Sequence, residues 1–417
     1  MPSFIQLLSS QHLRSPWQLV ALMLICYITY DRPLLAKNPE IYVHYMPWYQ
    51  SKPFSQSWGY HWTMNTFNPE TIKNKQREIA SHHYPLIGPY DSNNPDVLTY
   101  HLQTIKLTGI DGLIIDWYGI EDYFDYAMIH RNTQHLIKHI KKAGLKFIIC
   151  YEDQTYKHLL NSHQTKKEQA LPSAIKTFQW MEQNWFNDSA YTKLNQDPVL
   201  LIFGPQYFKK DAWQKISASL KTPPKFFTLP HLRQDIDAQG CFTWPPVNGG
   251  KTIPDFNWKG DLEHVYHSDH PHFIPLVFPG YHDIYGETGK ASFGYIDHKQ
   301  GKTLKFTLDS AFKYAKNFIQ IATWNDFGEG TVIEPTEEFG FQYLEMIQDK
   351  IKTMQAHKKI DKQNLSLPLQ LYHLKQSLPN RLELLKEFNH LDDLLYQQNI
   401  SKFKTTLKSI KKAQHFN

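Results

Sequence analysis

The sequence predicts an α/β protein built as a (β/α)8 TIM barrel over residues 40–350, and three observations carry that expectation. Eight short runs rich in β-branched and aromatic residues recur along this stretch. Each is close to continuously apolar and then closes on polar or aromatic residues, the pattern of parallel strands covered on both faces. Amphipathic helical stretches fall between several of them, the alternation that closes a barrel when it repeats eight times.

The runs, in order, are IYVHYMPW (41–48), GLIIDW (112–117), KFIICYE (146–152), PVLLIFG (198–204), KFFTLPH (225–231), GCFTW (240–244), HFIPLVFPG (272–280) and FIQIATWND (318–326). Helices are expected over 69–82, 96–108 and 131–143, the last stopping at Gly144 as a C-terminal glycine cap requires. YPLIGPY (84–90) is a ninth strand candidate, and the helices after the fifth and sixth runs would be very short. A doubly wound open sheet is therefore the alternative arrangement. No internal repeat or low-complexity linker interrupts 40–350.

The ends differ from the body. Residues 17–30, WQLVALMLICYITY, are uncharged and mostly apolar, with Arg14 before them and the first acidic residue, Asp31, after. Fourteen residues are short for a membrane span, so 1–36 is expected to be a secretory signal peptide, or an uncleaved anchor tethering the protein to a membrane. Either predicts an exported protein, periplasmic, secreted or anchored; a buried amino-terminal helix of a cytosolic protein is the third reading. Residues 351–417 form a helical appendage. Leu382, Leu385, Phe388, Leu391, Leu394 and Leu395 define one apolar helix face, and Ile400, Phe403, Leu407 and Ile410 a second. Lys402, Lys404, Lys408, Lys411 and Lys412 read as a solvated face.

Charge excludes some partners. Of 45 basic and 40 acidic residues, 12 basic and five acidic lie from Ile351 onward, leaving 33 against 35 in the body. A near-neutral body carries no electrostatic footprint for nucleic acid. Cys26, Cys150 and Cys241 are too few for a disulfide scaffold and have no metal-ligand spacing. HSDHPH (267–272) precedes the seventh run and reads as a polar loop in preference to a metal site. No G-x-S-x-G elbow and no phosphate-binding glycine loop is present, and no organic cofactor or metal is expected.

In a barrel the carboxyl ends of the strands share one rim, where such folds place their chemistry. That rim would carry Tyr45, Trp48 and Tyr49; Asp116 and Trp117; Tyr151 and Glu152; Trp244; Tyr281, His282 and Asp283; and Trp324, Asn325, Asp326 and Glu329. Ring faces beside carboxylates and amides suit a sugar, whose C–H faces stack while its hydroxyls need donors and acceptors. The densest signal is TWNDFGEGTVIEP (323–335), where Gly328 and Gly330 allow a tight turn that aims Asp326 and Glu329 at one cavity. Such a pair can supply one acid and one base or nucleophile if its environments separate the two pKa values.

WNDFGEGTVIEP resembles the strand-eight motif of glycoside hydrolase family 99 and the wider 71/99-like group, whose usual form is N-E-W-x-E-G-T-x-I-E. YMPWY (45–49) with HW (61–62), HYPLIGPYDSNNPDVL (83–98), GIDGLIIDWYG (109–119) and FPGYHD (278–283) are similar to that group's other landmarks in the same order. The resemblance covers about residues 40–345. It implies a (β/α)8 barrel that cleaves internal α-mannosidic or related bonds in an oligosaccharide or polysaccharide, with a retaining outcome. By the same resemblance Asp326 is the base toward the substrate's 2-hydroxyl and Glu329 the general acid/base. Substrate contacts are expected from Tyr45, Trp48, His61, Trp62, Tyr90, Asp91, Asp116, Trp117, Glu152, Trp244, Tyr281, Trp324, Asn325 and Glu334. Two positions depart from the motif: Asp326 stands for the usual Glu and Phe327 for the usual Trp. A noncatalytic glycan-binding barrel and a polysaccharide-assembly protein are the alternatives.

Overall fold

The computed structural model describes residues 38–247, 257–267, 270, 272–356, 358, 360–378 and 382–413. From Pro39 onward the described residues pack as one compact unit. The apolar segment 17–30 lies outside the described residues, as do Ser268, Asp269 and Pro271 of the histidine-rich loop. Among the described residues no helix is long and apolar enough to cross a membrane.

The eight apolar runs all become strands. They are β1 (Glu40–Tyr45), β2 (Gly112–Trp117), β3 (Lys146–Tyr151), β4 (Asp197–Ile202), β5 (Lys225–Thr228), β6 (Gly240–Phe242), β7 in two halves (Phe273–Ile274 and Leu276–Val277) and β8 (Phe318–Ile321). All pair in parallel, each with its neighbour in sequence. Pairing of β1 with β8, Glu40 opposite Phe318, and of the second half of β7 with β8 closes the ring. Pro275 divides β7 because it has no N–H to give; its carbonyl still accepts from Gln320 N at 3.0 Å. Closure removes the open-sheet alternative, and YPLIGPY stays outside the ring, pairing with the segment that follows β8 through a bridge from Pro85 to Thr336 and the bonds Leu86 N to Pro335 O (3.0 Å) and Glu337 N to Tyr84 O (2.8 Å).

Alternation along the strands divides the core. Tyr42, Ile114, Ile148, Val199, Leu201, Phe227, Phe242 and Ile274 fill the barrel interior, whereas Val43, Leu113, Ile115, Ile149 and Leu200 pack outward under the helices. The helix Pro95–Thr108 has Asn94 as its N-cap, proline at its first turn and Gly109 at φ 94° as its stop; Tyr126–Ala143 stops at Gly144, φ 66°. After β5 there is only a 3-10 turn, Pro230–Asp235.

Two local expectations are corrected. The stretch 69–82 is a hairpin, Ile72–Lys73 against Gln76–Arg77, because Asn74 and Lys75 both adopt positive φ (52° and 68°) and so make the two-residue turn that reverses a strand. In the appendage Leu382 is 78% exposed and precedes the helix Leu385–Tyr396, whose buried face is Phe388, Leu391, Leu394 and Leu395. Leu385 is exposed at the first turn of that helix, before it meets the barrel. Ile400–Ala413 follows, burying Phe403, Leu407 and Ile410 and leaving Lys402, Lys404, Lys408 and Lys412 exposed.

Candidate active site

Beyond β8 the chain turns back on itself. Thr323 N donates to Thr331 O at 2.9 Å, and Thr323 Oγ1 accepts the N–H of Asp326 at 2.7 Å. Asp326 Oδ1 accepts the N–H of Glu329 at 2.9 Å, and Asp326 O that of Gly330 at 3.0 Å. Gly330 sits at φ 68°, and a Cβ there would lie 2.5 Å from His282 O. A Cβ on Gly328 would meet Met64 Cε at 2.8 Å. The turn thus holds both carboxylates on one short, closely packed loop.

Glu329 Oε2 accepts from the indole of Trp244 at 3.0 Å, and Tyr281 hydrogen-bonds the same carboxylate. Its backbone is tied to the seventh strand's loop, with His282 N donating to Glu329 O at 2.9 Å. Trp244 is set by edge-on contacts with His44 at 4.9 Å and Phe203 at 5.2 Å. Burial, then the charge of Asp326, pushes the Glu329 carboxyl up to about 8. Asp326 is raised by burial to about 6, held lower by N–H groups of its own turn and by His61. The two groups therefore differ in the direction that leaves Asp326 ionised while Glu329 keeps its proton.

Two more carboxylates face this pair. Asp116, at the end of β2, is pushed up to about 8 by burial and the charge of Asp326, with a hydrogen bond from Tyr118 opposing. Glu152, following β3, is raised by burial and by Asp116, and hydrogen-bonds Gln154 and Gln206. On the other side Trp48 stacks on His61, ring centres 4.2 Å apart, and His61 Nε2 lies 3.1 Å from Asp125 Oδ2.

The structure thus brings together Asp326, Glu329, Asp116, Glu152, Trp244, Tyr281, Trp48 and His61. Others of the sequence-predicted set lie behind this layer. Asn325 is fully buried, bonding both backbone groups of Met46 (2.8 and 3.0 Å) and the Tyr90 hydroxyl (3.0 Å). Tyr90 donates to Glu334 at 2.8 Å; Glu334 also meets His101, which meets the Tyr45 hydroxyl at 2.9 Å. Trp62 donates to Tyr90 O and packs on Tyr49 and Phe327. Trp324 packs edge-on against His101. Asp91 accepts from Asn93 N in its own loop and from Ser51 N and Ser55 Oγ of the loop after β1. Trp117, next to Asp116, points the opposite way and packs on Trp180 and Trp185 under the helices.

Tyr118, beside Trp117 in the similar GIDGLIIDWYG stretch, bonds Asp116. One neighbour was not in the predicted set: Tyr285 feels the charges of both Asp326 and Glu329. Tyr285 lies in a loop whose turn is held by Asp283, with no strand pattern to mark it; Asp283 accepts from Tyr285 N, Ser292 Oγ, Phe293 N and Gly294 N.

No family model matches the sequence. A zebrafish (Danio rerio) glycoprotein endo-α-1,2-mannosidase-like protein is 23% identical over 328 residues, 71% of this chain and 70% of its own length. Mouse (Mus musculus) glycoprotein endo-α-1,2-mannosidase is 22% identical over 333 residues, 71% of this chain and 68% of its own length. The GH99 endo-α-mannosidase of Bacteroides thetaiotaomicron shares the fold: TM-score 0.56 at 19% identity, covering 76% of this chain and 98% of that one.

Proposed function

We propose that this glycoside hydrolase family 99-like chain cleaves internal α-mannosidic bonds of an oligosaccharide or polysaccharide, with Asp326 and Glu329 as its reacting groups. The observation that carries the reading is the single turn that holds both carboxylates while separating their proton affinities. In the proposed first step Asp326 takes the proton of the substrate's 2-hydroxyl. That oxygen attacks the anomeric carbon, the glycosidic bond breaks, and Glu329 protonates the departing oxygen. A 1,2-anhydro sugar results. Glu329, now ionised, takes a proton from water, which opens the three-membered ring at the anomeric carbon, and Asp326 returns its proton to the 2-oxygen. Two inversions at one carbon give retention.

Trp244 and Tyr281 support this by fixing the acid's carboxylate, and Trp48 with His61 offers a wall for sugar stacking. Asp116 and Glu152 are proposed to hold sugar hydroxyls, since both are buried and raised, hence able to donate as well as accept. Tyr45, Trp62, Tyr90, Asn325, Trp324 and Glu334 are assigned to the layer that positions these groups, Asp91 and Trp117 to its outer support. The apolar segment 17–30 supports export, with or without retention as a membrane tether.

A second reading, a barrel that binds glycans without cleaving them, is favoured by one observation: the short Asp326 side chain accepts from its own turn at Glu329 N. The test is product formation from α-mannan by wild type and Glu329→Gln, with calorimetric binding of both. Turnover lost in the variant with binding retained supports the enzyme; saturable binding without turnover in wild type supports the binding barrel.

A further inference from the structure

Outward from the Trp48–His61 wall run two further rings, Tyr60 and Phe124, that the proposed chemistry does not use. Trp48 stacks on His61, His61 meets Tyr60 edge-on at 5.4 Å, and Tyr60 meets Phe124 edge-on at 5.2 Å. Phe124 is 64% exposed and holds φ 52°, a conformation that a bulky side chain rarely adopts. Its contact with Tyr60 leaves most of the ring in solvent, and a bulky ring held out in a disfavoured backbone points to a ligand. The loop beneath it is tied to the site, because the next residue, Asp125, is the partner of His61. Lys290, from the loop after β7, reaches across to the Tyr60 hydroxyl and lies over its ring at 5.2 Å.

We propose that Phe124 and Tyr60, with Lys290, form an outer subsite that stacks a pyranose of the same glycan chain some distance from the bond to be cut. The proposal rests on the glycan-cleaving reading and adds a preference for longer chains. Three features favour a sugar over a purely apolar partner. The ring series is continuous with the Trp48–His61 wall beside Asp326, so one linear ligand can follow it. Tyr60 and Lys290 place a hydroxyl and an ammonium beside the exposed ring, matching a partner that has an apolar face and a polar edge. The rings step away one at a time and do not gather into a broad patch.

The test is calorimetry on Glu329→Gln protein, which would bind without turnover, using an α-linked mannodisaccharide and mannotetraose. The tetrasaccharide is expected to bind more tightly. Adding Phe124→Ala should reduce that advantage roughly three- to tenfold, and Phe124→Trp should keep it. An unchanged ratio of the two affinities in Phe124→Ala, or equal affinity for both sugars in the parent, overturns the outer subsite and leaves the glycan-cleaving reading standing. A parent that binds neither sugar overturns both.

Discussion

Glu329 donates its backbone N–H to Asp326 Oδ1 at 2.9 Å, so the proposed acid and base are coupled by a hydrogen bond as well as by charge. The bond favours the ionised form of Asp326, whose charge in turn raises Glu329. With Asp326 near 6 and Glu329 near 8, kcat/KM should rise as pH passes about 6 and fall as it passes about 8. A rate profile on α-mannan with no alkaline limb would remove Glu329 from the role of acid.

Trp244 tests the same assignment from outside the pair. Its indole N–H bonds Glu329 Oε2 at 3.0 Å and lowers that group's proton affinity. Trp244→Phe keeps a ring and removes the donor, so the alkaline limb should move upward while the acid limb, set by Asp326, stays. Movement of the acid limb instead would place the indole's influence on Asp326.

Asp326→Glu asks whether the short side chain is a handicap. The turn around it is tight: a Cβ on Gly328 would be 2.8 Å from Met64 Cε, and Asp326 Oδ1 itself closes the loop onto Glu329. One added methylene should displace the carboxylate and lower kcat by about a hundredfold. A gain in kcat would mean that the site has drifted from a longer base.

The barrel was legible because its strands are buried on both faces and so read as uninterrupted apolar runs, even where Pro275 divides β7. The 69–82 hairpin was not, since its reversal depends on positive φ at Asn74 and Lys75, and lysine carries little turn signal. At the site, the motif placed Asp326 and Glu329 on one loop, but a strand end does not reveal which of two neighbours enters the barrel. Asp116 faces Asp326 while Trp117 packs under the helices. Tyr285 escaped because it comes from a loop ordered by Asp283 through hydrogen bonds that no periodicity announces.

Clustered carboxylates should make the fold more stable in mild acid. Asp116 and Glu329 bind a proton more tightly in the folded protein than in the unfolded chain, as does Asp326 to a lesser degree. Stability therefore falls as pH rises from the ordinary carboxylate range toward about 8. Asp116→Asn removes one of the repelling charges and should raise the melting temperature at about pH 8 by a few degrees, with less effect at about pH 5. An equal shift at both values would assign the effect to packing.

The appendage is fastened by a buried ion pair, and that pair is open to test without touching the site. Lys375, on the helix Leu367–Ser377, lies 2.7 and 2.8 Å from the two oxygens of Asp392, on Leu385–Tyr396; Gln103 of the barrel helix Pro95–Thr108 donates to the same carboxylate at 3.1 Å. Both ionic side chains are almost fully buried. Lys375→Met leaves Asp392 buried beside an apolar chain and should cost about 3–5 kcal/mol, seen as a clear fall in the urea midpoint. Combining it with Asp392→Leu removes the stranded charge and should recover most of the loss. If the double variant is no more stable than the single, packing of the long lysine stem, and not the charge left behind, holds these helices to the barrel.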